Sequence, residues 1–387
     1  MGGDVVNLVR KKLGLVFVND EQWIGGTYYT ANLVHAMNYL SDELKPEIIV
    51  FSNSKDYNKL KVETKYPHLI FEDFSKGEYS KFLRIFIRLS SKLFGHKSIH
   101  KTFRKDIDAL FIMQRSQYLE GIPAEKRFYW IPDFQDKHYP EFFTKEGLSK
   151  KHRRSQWIAD NARNIILSSE SVKKDWEEFY PMYKGKTTVV NFAVNHPEYN
   201  SIDFHGLRKK YHLPSEYFFS PNQFWAHKNH MVVIKAVEKL KTEGNPIVVA
   251  FSGKENDNRN MGYTESLKDY VKKNQLQDVV KFLGFIDRRE QLKIMKHAKA
   301  VIQPSLFEGW STVIEDALAM NQVVIASNIE VNKEQLLDSG LFFVSNSPDD
   351  LSIQISKVNK INCKTPLQIN YNKRKLDFAE NFYQLLL

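Results

Sequence analysis

A two-domain α/β protein, each domain a parallel sheet with crossover helices, is the architecture the sequence predicts. Three observations carry it. The chain has 387 residues, enough for two domains at about 100–200 residues each. Short apolar runs alternate with amphipathic stretches along nearly its whole length, as βαβ units require. A polar, proline-containing stretch over 196–215 separates one such series from the next.

The first series opens with an apolar run at 13–18 that ends on Asn19-Asp20, and helical periodicity follows over 27–40 through Ala31, Val34 and Leu40. Further strands are expected at 47–52, 109–113, 128–131, 164–168 and 187–191. The second series places strands at 217–221, 247–252, 279–283, 300–303, 323–326 and 341–344. A last helix over 371–387 has Phe378, Phe382, Leu385 and Leu386 as its apolar stripe. The expected units are thus 1–200, 201–370 and the terminal helix 371–387.

Hydrophobic residues make up 42% of the chain and aromatics 13%, which excludes a disordered or fibrous polypeptide. The lone Cys363 excludes a disulfide framework and a multi-cysteine metal site, and points to a reducing, cytoplasmic compartment. No uncharged apolar run reaches the ~18 residues of a spanning helix, and no signal-peptide pattern is present. The 56 basic against 46 acidic residues give a net charge of +10 and point to anionic partners. No nucleic-acid motif accompanies that charge, so nucleic acid is not an expected partner. Part of it lies at 81–105, where Lys81, Arg84, Arg88 and Lys92 share one helical face opposite Phe82, Phe86, Leu89 and Leu93, and the run continues to Lys105. This stretch reads either as a half-buried helix with a solvated basic face or as an interfacial helix on an anionic membrane surface.

Three loops carry chemistry. Gly25-Gly26-Thr27 follows the first strand and opens a helix, where paired glycines allow close backbone approach and the helix N-terminus favours a phosphate; a plain turn explains the pair equally well. The loop from Ser220 to His230 follows the first strand of the second unit, the position at which open α/β sheets bind ligands, and offers Lys228 as a point charge beside Gln223 and Asn229. In the third, Gln303-Pro304-Ser305-Leu306-Phe307-Glu308-Gly309-Trp310-Ser311-Thr312, a strand ends and a turn exposes Glu308. Gly309 permits close approach there, and the following helix presents free amides to an anion. The bland reading of Ser311 is a helix cap. Asp106-Ile107-Asp108 has the D-x-D spacing of metal-dependent transferases but precedes a strand instead of following one, so no metal is expected.

In their order, and with Phe282-Leu283-Gly284-Phe285-Ile286 between the second and third, these loops resemble the retaining glycosyltransferases of family 4, which have the GT-B fold. The resemblance covers nearly the whole chain. It implies two Rossmann-like domains facing a central cleft, with the C-terminal helix crossing back to the first domain. The family's pattern is a glycine pair in the first loop, an Arg-x4-Lys pair opening the second domain, a loop around F-x-G, and a Glu-x7-Glu motif. Gly25, Gly26, Lys228, Gly284 and Glu308 stand at matching places. Three positions depart: Gln223 stands where Arg is usual, Asp316 where the second Glu is usual with Glu315 beside it, and Pro132 where many members have His before the acid matching Asp133.

The resemblance implies that Lys228, Gln223 and the amides near Gly26 and Ser311/Thr312 hold a nucleotide diphosphate; Lys254, after Gly253, or His227 is the candidate to compensate for the missing Arg. It further implies that Glu308 contacts the donor sugar beside Gly309, that Asp316 or Glu315 binds ribose, and that Gly284 and Phe285 lie along the base. Asp133 is the first-domain acid expected to face the cleft, unless it merely caps a turn, and His138 is a candidate stand-in for the missing histidine. The expected activity is metal-independent transfer of a hexosyl group, mannosyl at the family level, from a nucleotide-diphosphate sugar to a glycan or lipid-linked acceptor in surface polysaccharide (lipopolysaccharide O-antigen or capsule) synthesis. No cofactor is expected. A sugar-nucleotide epimerase and a nucleotide-sugar-binding protein without turnover are the competing readings.

Overall fold

The computed structural model describes residues 9–17, 24–73, 106–112, 122–255, 262–360 and 369–387. The basic stretch 81–105 lies outside them, as do Val18 and Met113 at two expected strand ends.

Two sheets are present. The first contains β1 (Lys12–Val16), β2 (Glu47–Ser52), β3 (Leu69–Asp73), β4 (Ala109–Ile112), β5 (Arg127–Ile131), β6 (Asn164–Leu167) and β7 (Lys186–Val189), in the order β3-β2-β1-β4-β5-β6-β7. The second contains β8 (Phe218–Ser220), β9 (Val249–Phe251), β10 (Val280–Phe282), β11 (Val301–Gln303), β12 (Val324–Ser327) and β13 (Leu341–Phe343), in the order β10-β9-β8-β11-β12-β13. Every pairing is parallel. Helices cover both faces, so the inner strands are apolar throughout: β4, β8, β9, β11 and β12 are buried at every residue. Strand order reverses between β1 and β4 in one sheet and between β8 and β11 in the other. The carboxyl ends there form the crevices in which doubly wound sheets bind ligands.

β3 is the strand the sequence reading lacks. Its LIFED is only partly buried at four positions, with Phe71 exposed, because an edge strand needs cover on fewer sides than a central one. The first helix runs Ile24–Ala36, so Gly25 and Gly26 lie within its first turn instead of ahead of it.

The terminal helix Tyr371–Tyr383 crosses to the first domain. Phe378 meets Tyr29 edge-on at 5.8 Å and Phe382 meets Phe111 at 5.1 Å, while Tyr29 stacks on Trp130 at 4.2 Å. A buried carboxylate anchors the helix at its start. Glu315, in the helix Thr312–Ala319, is wholly inaccessible. Its Oε1 accepts from Arg374 Nη2 at 2.7 Å, Gln335 Nε2 at 2.9 Å and Trp310 Nε1 at 3.1 Å, and its Oε2 accepts from the Tyr371 hydroxyl at 2.6 Å. Two of these donors reach on into the interdomain segment. The Tyr371 hydroxyl accepts from Val194 N at 2.8 Å, and Trp310 Nε1 also donates to Phe192 O at 3.1 Å.

Removing the Tyr371 hydroxyl therefore strands one buried amide and one carboxylate oxygen. Tyr371→Phe is expected to cost about 1–3 kcal/mol, and Glu315→Ala, which leaves Arg374 unpaired, about 3–5 kcal/mol. Urea unfolding of the two variants against the parent checks the order and the size.

Candidate functional site

At the β8/β11 crevice two loops are tied edge to edge. After β8 the chain makes a short helical turn at Ala226–Lys228, closed by Asn229 in the left-handed conformation at φ +51°. Leu306 N donates to His227 O at 2.7 Å, which fixes the loop after β11 against that turn. Lys228 and Glu308 are thereby brought together, with Lys228 Nζ donating to Glu308 Oε1 at 2.5 Å and both side chains about nine-tenths buried, at 12% and 10% exposure. The same oxygen accepts from Gln303 Nε2 at 2.7 Å, while Gln303 Oε1 accepts from Asn222 Nδ2 at 3.0 Å. Gln303 and Asn222 are buried, so the carboxylate of Glu308 is held from below by fixed amides.

Gln223 and Gly253 act on the backbone. Gln223 Oε1 accepts from Lys254 N at 2.9 Å, and Phe224 N donates to Lys254 O at 3.1 Å. A Cβ on Gly253 would lie 2.2 Å from Asn222 O, so glycine is required there for two strand ends to approach. Gly284 adopts φ +70° with open space around it. The turn it permits leaves Phe285 63% exposed, with Lys254 Nζ 5.3 Å from the ring centroid.

The helix Thr312–Ala319 is capped by Ser311, whose hydroxyl accepts from Ile314 N. The Ser311 amide donates to Gln335 Oε1 at 3.0 Å. That amide is engaged within the domain, which corrects the expectation that it stands free for a phosphate; Thr312 is the first helical residue. Packing gives the two adjacent acids different partners. Glu315 is consumed by the interdomain anchor, and Asp316 points the other way, its Oδ1 accepting from Arg288 Nη2 at 2.5 Å and meeting His196 Nε2 at 3.0 Å. Burial alone would raise the Asp316 carboxyl, but Arg288 and His196 outweigh it and hold it below the ordinary aspartate range. For Glu315 burial wins over Arg374 and Tyr371, and its carboxyl is pushed up.

The first domain faces these groups. A Cβ on Gly309 would lie 1.9 Å from Pro132 O and 2.9 Å from Asp133 Cβ, so the Glu308 turn presses directly on the segment carrying Asp133. Asp133 Oδ1 also accepts from Gln135 N at 3.1 Å, and Lys151 Nζ stands 4.0 Å away. His138 pairs with Asp175 Oδ1 at 2.9 Å, its ring centroid 5.2 Å from that of Phe307. Gly25 is exposed with nothing within 4 Å of a built Cβ, and Gly26 O accepts from Thr30 Oγ1. Tyr28 lies across from Arg288, 5.7 Å from its guanidinium.

Several participants escaped the sequence reading: Arg288, His196, Asn222, Gln335, Arg374 and Tyr371. Arg288 did leave a signal, since a cation in the first turn of a helix opposes the helix dipole and needs another partner. Asp106 and Asp108 are bound to Lys12, through its Nζ at 2.6 Å and its amide at 2.8 Å respectively. Among the described residues no group of three or more His, Cys, Asp and Glu could hold a metal ion, and no helix is long and apolar enough to cross a membrane.

A depressed carboxyl contributes stability above its unfolded pKa and loses it as the pH falls through the folded one. The stability gap between the parent and Asp316→Asn is therefore expected to be full above about pH 5 and to shrink as the pH drops below about 4. Urea midpoints measured across that range check it.

Residues 207–376 match the family described as glycosyl transferases group 1. The O-antigen chain mannosyltransferase RfbU of Salmonella typhimurium is 26% identical over 268 residues, 69% of this chain and 64% of that protein. An uncharacterized glycosyltransferase of Methanocaldococcus jannaschii is 23% identical over 45% of this chain and 41% of its own length. The matches thus span less than two thirds of either relative. Among solved structures, a glycosyltransferase from Rickettsia africae superposes with a TM-score of 0.61 at 16% identity, covering 98% of this chain and 96% of that one. Anabaena HepE, solved with UDP and glucose, superposes at 0.59 and 16% identity, covering 97% and 94%. Residues 207–376 are thus similar to the group 1 glycosyltransferases, and the two parallel sheets share the GT-B fold of the solved neighbours.

Proposed function

We propose that the protein transfers a hexosyl group, mannose being the favoured one, from a nucleotide-diphosphate sugar to a glycan or lipid-linked acceptor, with retention of configuration and without a metal ion. The reading rests on one observation: a buried Lys228–Glu308 pair at the sheet switch point, pressed against the segment that carries Asp133. The mannosyl and O-antigen parts draw on the Salmonella relative, and the nucleotide-sugar part on the neighbour solved with UDP and glucose.

With no donor bound, the cation and the acid neutralise each other. An incoming diphosphate competes for Lys228 Nζ, and the exchange releases Glu308, still held by Gln303, to accept hydrogen bonds from hydroxyls of the donor sugar. As the bond from the anomeric carbon to the phosphate oxygen breaks, Lys228 stabilises the charge that develops on the leaving diphosphate. The acceptor oxygen bonds to the anomeric carbon and its proton passes to the departing phosphate. Asp133 stands on the acceptor side of this path. Gln223 favours a second reading, a nucleotide-sugar binder without turnover, because its side chain is spent on the Lys254 amide where a cation is usual.

Lys228→Ala and Glu308→Ala are each expected to lower kcat/KM at least about 100-fold with the fold intact by circular dichroism. Full activity in both variants overturns transfer at this site. Nucleotide-sugar binding by the parent without release or transfer, across a broad acceptor panel, supports the second reading instead.

A further inference from the structure

The first domain carries a second pair of opposite charges, and its acid is the one pressed by the Gly309 turn. Asp133, just past β5, keeps 30% of its side chain exposed. Its Oδ1 is spent on the Gln135 amide at 3.1 Å, while among the described residues no group donates to Oδ2. Lys151, in the helix Lys145–Asn161, has its Nζ 4.0 Å from that Oδ1 and 3.3 Å from Asp136 Oδ1. Asp136 is only 6% exposed and also lies 3.3 Å from His152 Nε2, so it holds the ammonium from the buried side, whereas Lys151 keeps 43% exposure. Half-buried rings stand near: Phe143 is 5.1 Å from the ammonium, and Tyr139 meets Phe307 edge-on at 6.2 Å across the domain boundary.

Positive charge here is already answered within the protein. Lys151 serves two carboxylates, and burial pushes the nearby Asp175 carboxyl up against the pull of His138, with Glu178 and Asp133 adding to the rise. A phosphate brought to Lys151 meets Asp133 as a like charge, and its oxygens are largely acceptors with no proton to give to Oδ2. A sugar hydroxyl suits both partners, because it donates and accepts at once. Its O–H donates to Asp133 Oδ2 while its oxygen accepts from Lys151 Nζ, and the rings supply apolar surface for the C–H face of the same sugar. We propose that Lys151 is a specificity-determining residue for the acceptor: with Asp133 it grips a hydroxyl of an uncharged sugar, and so selects an uncharged glycosyl end over a phosphate-bearing acceptor. This rests on the transfer reading above and narrows its acceptor to a neutral sugar, free or carried by a lipid.

The test is initial-rate kinetics of the full chain with uridine- and guanosine-diphosphate hexoses as donors. The acceptors are the methyl and octyl glycosides of glucose, galactose and mannose, together with the 6-phosphates of the methyl glycosides. Transfer to at least one uncharged glycoside is expected, with kcat/KM at least about 10-fold above that for its 6-phosphate, the size of one charge-assisted hydrogen bond. Equal rates with methyl and octyl forms mark a glycan end and a preference for the octyl form marks a lipid-borne sugar; both support the inference. Lys151→Ala is expected to raise the acceptor KM at least about 10-fold while the donor KM stays within about twofold, and Lys151→Arg, which keeps the charge beside the two acids, recovers part of the loss. A role confined to folding lowers the urea midpoint of Lys151→Ala and leaves its acceptor KM unchanged, which overturns the inference. Transfer to the 6-phosphates at equal or higher rates, or donor hydrolysis with none of the glycosides accepted, overturns it as well and leaves the donor reading standing. A parent that neither hydrolyses nor transfers from any of the donors overturns both.

Discussion

The carboxylate of Glu315 is the constraint on which the rest of the site depends. Fully desolvated, it is intolerable unless its acceptor capacity is filled, and filling it recruits Arg374 and Tyr371 from the C-terminal helix together with Gln335 and Trp310 from the second domain. Each donor then transmits position elsewhere. Tyr371 and Trp310 reach the segment leaving the first domain through Val194 N and Phe192 O, and Gln335 Nε2 also donates to Ser311 O, which sets the start of the helix Thr312–Ala319. One helix is thus locked in rotation about its axis. Because neighbouring residues differ by about 100° around a helix, the lock that takes Glu315 inward leaves Asp316 to face Arg288 and His196.

Among the groups brought together at the crevice, charges are paired within the protein. Lys228 is neutralised by Glu308, and Asp316 by Arg288 with His196 beside it. Such pairing makes the buried groups tolerable, since a lone charge at this depth would cost several kcal/mol. Under the proposed function it also means that an incoming diphosphate exchanges for one carboxylate at the lysine and leaves that carboxylate to hydroxyl groups. Gln303, itself held by Asn222, ties the Glu308 carboxylate independently of the lysine.

How much of this was legible follows from what each residue's role depends on. The strand and helix series were readable because parallel sheets demand continuous apolar runs; β3 was not, since an edge strand with partly exposed residues carries no such run. Lys228 and Glu308 stand out through loop position and residue type, Gly284 through the family resemblance. The glycine at 253 was legible as a glycine but not in its purpose, which is backbone approach to Asn222. Glu315 and Asp316 lie equally far from the apolar face of their helix, so periodicity could not rank them; only the donors arriving from the distant Arg374 and Tyr371 do. The Ser311 amide was misjudged for the same reason, its partner Gln335 being 24 residues away in the chain.

The two domains meet through contacts of unequal depth, and that inequality orders their strength. Glu334 crosses from the second domain to accept the Glu170 and Ser171 amides at 2.9 and 3.1 Å, joining Ser169 in capping the helix Glu170–Phe179. An acid at a helix N-terminus is favourable, but at an exposed site it contributes only about 0.3–1 kcal/mol. Gly309 against Pro132 is a contact of shape, requiring glycine and supplying no polar bond that either domain would lose on parting. The Glu315 anchor is buried and made of charge-assisted bonds, the strongest class. Strong attachment on the side of the C-terminal helix and weak attachment beside Asp133 and Glu308 place the compliant edge of the interface next to the Lys228–Glu308 pair.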